Sequence, residues 1–181
     1  RIGIAAPGSA ALRPGIIALY AAAPAAALCA ACLERGGIPT YDLLKLAERI
    51  CVDISAAIIE ELLFRGVLLL GILGHTRIKT AGAVTISAGL FAAAHLMNLF
   101  AGGGLLYTLP QTVFAFCAGI CLGALAVRTK SIIPAVILHM TVNLSSIIIE
   151  TPAMSGAGIE TAAICALAIL YLATGLLLLR K

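Results

Sequence analysis

Two adjacent carboxylates and a guanidinium, Glu60, Glu61 and Arg65, lie inside an apolar stretch of the sequence, residues 51–74. That stretch is long enough to cross a membrane as a helix. Ionised groups near a bilayer centre cost roughly 2.5 to 3.5 kcal/mol each on insertion scales, so they usually have partners and mark functional sites. Residues four apart share a helix face, so we expect Glu61 to pair with Arg65. Glu60 then points elsewhere and is the carboxylate available as a general base.

Two histidines, His95 and His139, lie in other apolar stretches, and Asn143 follows His139 by four residues. A spacing of four places the last two on one helix face about 6 Å apart along the axis. This suits two donors that stabilise a developing oxyanion. At 1.5 Å per residue, both histidines, Asn143 and Glu60 fall about 5 to 20 Å from the same membrane face. The spacing therefore predicts one polar layer built by three helices, although intramembrane histidines also serve as hydrogen-bonded packing groups.

The composition is that of a membrane protein. The chain is 62% hydrophobic and only 11% charged, with a mean hydropathy of +1.12, whereas soluble domains carry about 25% charged residues. We predict an all-α fold, a polytopic transmembrane helix bundle with about six spans. The predicted spans are residues 14–33, 51–74, 80–100, 106–127, 131–150 and 161–179. Residues 41–50 alternate charged and apolar positions, which is typical of a helix lying in the membrane interface.

The chain divides by these features into three parts. Residues 1–49 hold the first span and the interfacial segment, residues 50–150 hold the polar constellation, and residues 151–181 hold a loop and the last span. Cations predominate on one side of the membrane: Arg1, Arg13, Arg77, Lys79, Arg128, Lys130, Arg180 and Lys181 against Arg35, Lys45 and Arg49. The positive-inside rule makes the first side cytoplasmic, with both termini inside, as in a bacterial cytoplasmic membrane.

The net charge of +4 lies mainly in these loops and does not indicate nucleic-acid binding. The partners expected from composition are membrane lipids, and nothing in the sequence predicts an oligomeric state. Six cysteines fall in or beside apolar segments, where they are expected to pack as small side chains and not to form disulfides: Cys29, Cys32, Cys51, Cys117, Cys121 and Cys165. The G-x-x-x-G motif of Gly119 and Gly123 predicts a close helix contact, within the bundle in preference to a dimer interface.

Three motifs in order resemble the CPBP family of intramembrane proteases: EExxxR at Glu60, FxxxH at Phe91 and HxxxN at His139. The family includes type II CAAX prenyl endopeptidases, bacteriocin-processing enzymes and Abi proteins. The resemblance covers roughly residues 50–150, and the runs Phe64-Arg65-Gly66 and His95-Leu96-x-Asn98 also fit the family pattern. It implies an intramembrane endopeptidase that hydrolyses a peptide bond of a membrane-associated protein or peptide, as in CAAX-type or leader-peptide processing.

The resemblance also implies a role for each matching residue. Glu60 and His95 would activate a water, while His139 and Asn143 would stabilise the oxyanion. Supporting roles fall to three residues: Glu61, Arg65 and Asn98. The mechanism favoured for the family needs no cofactor, but a zinc ion held by Glu60, His95 and His139 stays open as an alternative.

Two further points stay open at the level of sequence. The resemblance to prenyl proteases of this family implies an active site that opens toward the cytosol. The cation count instead places Glu60, His95, His139 and Asn143 nearer the extracytoplasmic face. A different class of protein would also keep a buried Glu/His network, namely a small polytopic transporter or a non-catalytic membrane interaction protein. The inverted repeat and paired broken helices typical of transporters are not visible in the sequence.

Overall fold

A computed structural model of the chain describes residues 14–35, 42–149 and 159–180, and its regular elements are helices. They are α1 (Pro14–Arg35), α2 (Leu43–Glu61), a π-helical segment (Leu62–Leu69), α3 (Leu70–His75), α4 (Thr80–His95), a 3₁₀ turn (Leu96–Leu99), α5 (Leu105–Thr129), α6 (Ile133–Ile149) and α7 (Ile159–Leu179). The all-α helix bundle predicted from the sequence is therefore confirmed.

Several helices have the length and apolar composition that a membrane crossing requires. Within the described residues, the three longest such ranges are Thr80–Leu99, Leu105–Thr129 and Ala162–Leu179. Shorter apolar helices cover Ala18–Cys29 and Ile133–Ile147. These five ranges coincide with five of the predicted spans. The remaining predicted span, residues 51–74, carries the charged residues and is not among these ranges.

The charged helix begins earlier than the sequence predicted. Helix α2 starts at Leu43 and continues without a break through the predicted boundary between residues 50 and 51. Its N-terminus is capped by Asp42, whose Oδ1 accepts the amide N–H groups of Leu44 at 3.0 Å and Lys45 at 3.2 Å. An N-cap carboxylate satisfies amides that lack an intrahelical partner. The expected separate interfacial helix is thus the first part of α2.

Helix α5 is the centre of the bundle, because Cys117–Ala126 is buried on every side. A Cβ atom at Gly119 would lie 3.0 Å from Ala88 Cβ, and one at Gly123 would lie 2.9 Å from Val84 Cγ1. Both neighbours belong to α4, so the two glycines let α4 and α5 approach closely. The predicted G-x-x-x-G contact within the bundle is confirmed.

The described cysteine side chains are free thiols, and Cys117 and Cys121 are buried in α5 as predicted. The packing prediction is wrong for three others, which lie on the outer surface of the bundle: Cys29, Cys51 and Cys165. A small polarizable side chain suits an outward apolar face as well as a core position. The side chain of Cys32 lies outside the described residues.

Candidate active site

The charged residues sit where α2 passes into the π-helical segment. Glu61 ends α2 and Arg65 lies in the π segment, with Arg65 Nη1 donating to Glu61 Oε1 at 2.6 Å. Both side chains are fully buried. The pairing expected from their spacing of four is confirmed. A π segment inside a longer helix is rare and is found mostly at functional sites.

Three groups compensate the buried Arg65 guanidinium. Beside the Glu61 carboxylate, its Nη2 donates to the carbonyl oxygen of Gly119 at 3.3 Å. Its Cζ lies 4.5 Å from the centroid of the Phe91 ring, a cation–π geometry. Buried charges are tolerated when they are paired and hydrogen-bonded in this way. Arg65 therefore holds the π segment against both α4 and α5.

His139, on α6, contacts both glutamates. Its Nδ1 lies 2.9 Å from Glu61 Oε1, and its Nε2 lies 3.6 Å from Glu60 Oε2. Because the carboxylate of Glu61 accepts at Nδ1, that nitrogen carries a proton and Nε2 faces Glu60. The His139 side chain is 7% exposed, whereas that of Glu60 is 35% exposed. Glu60 is thus the more exposed carboxylate of the two.

His95 occupies the C-terminal end of α4, beside this contact. Its Nδ1 hydrogen-bonds the carbonyl oxygen of Phe91 at 3.0 Å. The Phe91 ring packs edgewise against both imidazoles, with centroid distances of 4.9 Å to His95 and 5.6 Å to His139. The structure therefore brings Glu60 and His139 into contact, and it places His95 against the same Phe91 ring that His139 contacts.

Asn143 lies one helical turn beyond His139 on α6. Its Nδ2 donates to the backbone carbonyl oxygen of Asp53 at 3.3 Å. His139 also contacts α2 through Glu61, so the two residues face the same helix, as their spacing of four predicted. Asn143 is therefore oriented by α2, through a backbone carbonyl that points along the helix toward Glu60.

Asn98 lies in the 3₁₀ turn that follows α4. Its Nδ2 donates to Gln111 Oε1 on α5 at 2.8 Å, and its carbonyl oxygen accepts the N–H of Gly103 at 2.7 Å. These bonds fix the loop between α4 and α5 just beyond His95. The described contacts of Asn98 are with that loop and α5, and not with the charged residues.

The candidate zinc ligands do not form one cluster. In the described parts of the chain, no three His, Cys, Asp or Glu side chains come together in a way that would hold a metal ion. Of the proposed set, Glu60 contacts His139, while His95 and His139 each contact the Phe91 ring. In this arrangement the side chains of Glu60, His95 and His139 do not meet at one point.

Some residues of the site were not singled out from the sequence. Asp53 precedes Glu60 by seven residues, a spacing that places both on one helix face, and this signal could have found it. Phe91 was quoted only as part of a motif, although its ring contacts three site residues. The carbonyl of Gly119 as an acceptor for Arg65 had no sequence signal, because it depends on how α5 crosses the π segment.

An apolar groove of about 500 Å³ runs along the outward side of the helix that carries Glu60. Its lining comes from α2, the π segment, α3 and the residue before α6: Ile59, Leu62, Leu63, Gly66, Val67, Leu70 and Ile132. Glu60 is not among the lining residues, but Ile59 and Leu63 are, and these lie one position before it and one turn after it on the same helix.

Comparison with known proteins adds an independent observation. A family model described as type II CAAX prenyl endopeptidase, Rce1-like, matches residues 43–145. The match starts at the first residue of α2, extends into α6 and covers more than half of the chain. It contains every candidate site residue named above. No curated protein and no solved structure matches the chain.

Proposed function

The chain belongs to the Rce1-like family of type II CAAX prenyl endopeptidases, and on that basis we propose that it hydrolyses peptide bonds with a water activated by Glu60. Proteases of this family act on membrane-associated proteins or peptides. One observation carries the proposal: Glu60 Oε2 lies 3.6 Å from His139 Nε2, so a partly exposed carboxylate faces an imidazole held in place from behind.

The separation of these two atoms suits a shared water. A distance of 3.6 Å is too long for a direct hydrogen bond, and a water about 2.8 Å from each atom completes a triangle with them. Glu60 takes one proton from that water as the oxygen attacks the carbonyl carbon of the substrate. The same proton then passes to the leaving amine when the C–N bond breaks. Glu60 is returned to its carboxylate form.

Asn143 and His139 are proposed to stabilise the oxyanion that forms during attack. The carboxamide of Asn143 has two N–H donors, and one of them is taken by the carbonyl oxygen of Asp53. This bond fixes the plane of the carboxamide and leaves the second donor for the substrate. His139 is proposed to act there through Nε2, the nitrogen that faces Glu60. Loss of one oxyanion donor typically costs 10²- to 10³-fold in rate.

The remaining residues are proposed to position these groups. Glu61, neutralised by Arg65, holds Nδ1 of His139. His95 is proposed to help activate the water, as the family resemblance implies. Its Nδ1 is hydrogen-bonded to the carbonyl oxygen of Phe91, so Nε2 is the nitrogen proposed to face the substrate. Asn98 fixes the end of α4 that carries His95. No step of this mechanism is assigned to a metal ion.

The substrate is proposed to be either the C-terminal tail of a lipid-modified protein or a leader peptide. The apolar groove beside Glu60 supports a substrate with an apolar segment or chain next to the scissile bond. Both classes are proposed to enter the groove from the membrane.

The test is cleavage of membrane-anchored peptides by the purified protein in liposomes. The peptide set contains prenylated C-terminal tails and apolar leader peptides. We expect cleavage by the wild type, with the rate reduced by about 10²- to 10⁴-fold in Glu60→Gln. Glu48→Gln is the matched control, because Glu48 is exposed on the same helix and should behave as the wild type. Equal cleavage by Glu60→Gln would refute the role of Glu60, and failure to cleave either class would count against the activity itself.

A further inference from the structure

A second polar cluster joins α2 to α6, apart from the contact between His139 and the glutamates. Arg49 Nε lies 3.0 Å from both carboxylate oxygens of Asp53, one turn further along α2. Arg49 Nη2 also donates to Ser146 Oγ on α6 at 3.4 Å. The bond between Arg49 and Ser146 thus joins α2, which carries Glu60, to α6, which carries His139 and Asn143.

The cluster closes on itself through Asn143. Ser146 Oγ donates to the backbone carbonyl oxygen of Asn143 at 2.6 Å, and Asn143 Nδ2 donates to the backbone carbonyl oxygen of Asp53 at 3.3 Å. Starting from Asp53, the bonds run through Arg49, Ser146 and Asn143 and return to Asp53. Asp53 is buried, and the Arg49 side chain is 39% exposed. The four residues therefore form one closed ring, which we call the α2–α6 ring.

We infer that the α2–α6 ring is a positioning device, in which Arg49, Asp53 and Ser146 fix Asn143 for oxyanion stabilisation. Asn143 is bonded at two points: its carboxamide donates to the Asp53 carbonyl on α2, and its own carbonyl accepts from Ser146, which in turn accepts from Arg49 on α2. Misplacement of a reacting group by 1 Å can cost about 10²-fold in rate. This inference rests on the proposed function, because it acts through the role assigned there to Asn143.

A positioning role predicts an effect on turnover and not on substrate binding. In Arg49→Gln and Ser146→Ala we expect kcat to fall on the order of tenfold while KM changes by less than about twofold. Arg49→Lys keeps the charge opposite Asp53 and should recover part of the loss. Because Arg49 and Ser146 act on one link, the double variant should be no slower than Arg49→Gln alone.

Ser145→Ala provides the matched control. Ser145 is buried beside Ser146, but its hydroxyl bonds the carbonyl oxygen of Thr141 within its own helix. Its kcat should equal that of the wild type. Thermal unfolding of every variant separates a loss of turnover from a loss of fold.

Several results would overturn the inference: wild-type kcat in Arg49→Gln and Ser146→Ala, effects confined to KM, losses that multiply in the double variant, or an equal loss in Ser145→Ala. Asn143→Ala separates this failure from a failure of the proposed function. If Asn143→Ala cleaves at the wild-type rate, the oxyanion role itself is wrong. If Asn143→Ala is slow and Arg49→Gln is not, only the α2–α6 ring loses its assignment.

Discussion

Glu61 holds His139 through a contact of 2.9 Å between Oε1 and Nδ1, and the same carboxylate oxygen receives the guanidinium of Arg65 at 2.6 Å. One buried oxygen therefore links the π segment to α6. This contact decides which nitrogen of His139 faces Glu60. The buried ion pair thus has a second consequence besides holding helices together, because it orients the imidazole opposite the exposed carboxylate.

Removing one member of this pair should destabilise the protein. We expect Glu61→Leu or Arg65→Met alone to lower the free energy of unfolding by about 3 to 5 kcal/mol, because each leaves an uncompensated buried charge. The double variant should regain most of that stability, since both charges are gone, but not the activity, since His139 loses its carboxylate. Thermal unfolding in detergent together with cleavage rates measures both effects. Wild-type stability in either single variant would contradict the pairing energetics.

The close approach of α4 and α5 gives a second prediction. Gly119→Ala places a Cβ atom 3.0 Å from Ala88 Cβ and 3.1 Å from Ala88 Cα, so α4 must shift by a few tenths of an ångström to admit it. We expect a loss of about 1 to 3 kcal/mol in stability, as for other overpacked sites. Activity should fall as well, because the carbonyl of Gly119 is an acceptor for Arg65. Gly89→Ala is the control, because a Cβ atom there meets nothing within 4 Å and its stability should not decrease.

The sequence predicted the helical class, the approximate spans and the pairing of Glu61 with Arg65, because each depends on local spacing along one helix. The site depends on more than that. The 3.6 Å approach of His139 to Glu60 follows from how α6 packs on α2, and no pattern within either helix determines it. The contact of the Phe91 ring with His139 likewise depends on how separate helices pack together. A shared depth in the membrane reduces the number of residues that a polar side chain can contact, but it does not determine which of them it contacts.

The start of α2 is a second feature that the sequence pattern did not determine. Residues 41–50 read as an interfacial helix because charges alternate with apolar positions. The structure instead continues this segment into the charged span, with Arg49 and Asp53 packed against α6. A pattern of solvated charges and a pattern of charges paired across helices look alike in a single sequence.

The apolar groove beside Glu60 should affect substrate binding. Val67→Trp places a large side chain in the groove, so we expect a several-fold higher KM for substrates with an apolar segment and little change in kcat. Val113→Trp is the matched control, because Val113 is exposed to a similar extent on the outer face of α5. Michaelis–Menten kinetics in liposomes provides the comparison. An unchanged KM in Val67→Trp, or an equal increase in both variants, would show that the substrate does not use the groove.

The most direct test of the account is single-turnover cleavage by Glu60→Gln after substrate binding has been measured for the same variant. The amide has nearly the shape of the carboxylate but cannot accept the proton of the attacking water. We expect substrate affinity and thermal stability close to those of the wild type, with a cleavage rate lower by about 10²-fold or more. Cleavage by Glu60→Gln at the wild-type rate would contradict the assignment of Glu60 as the base that activates water.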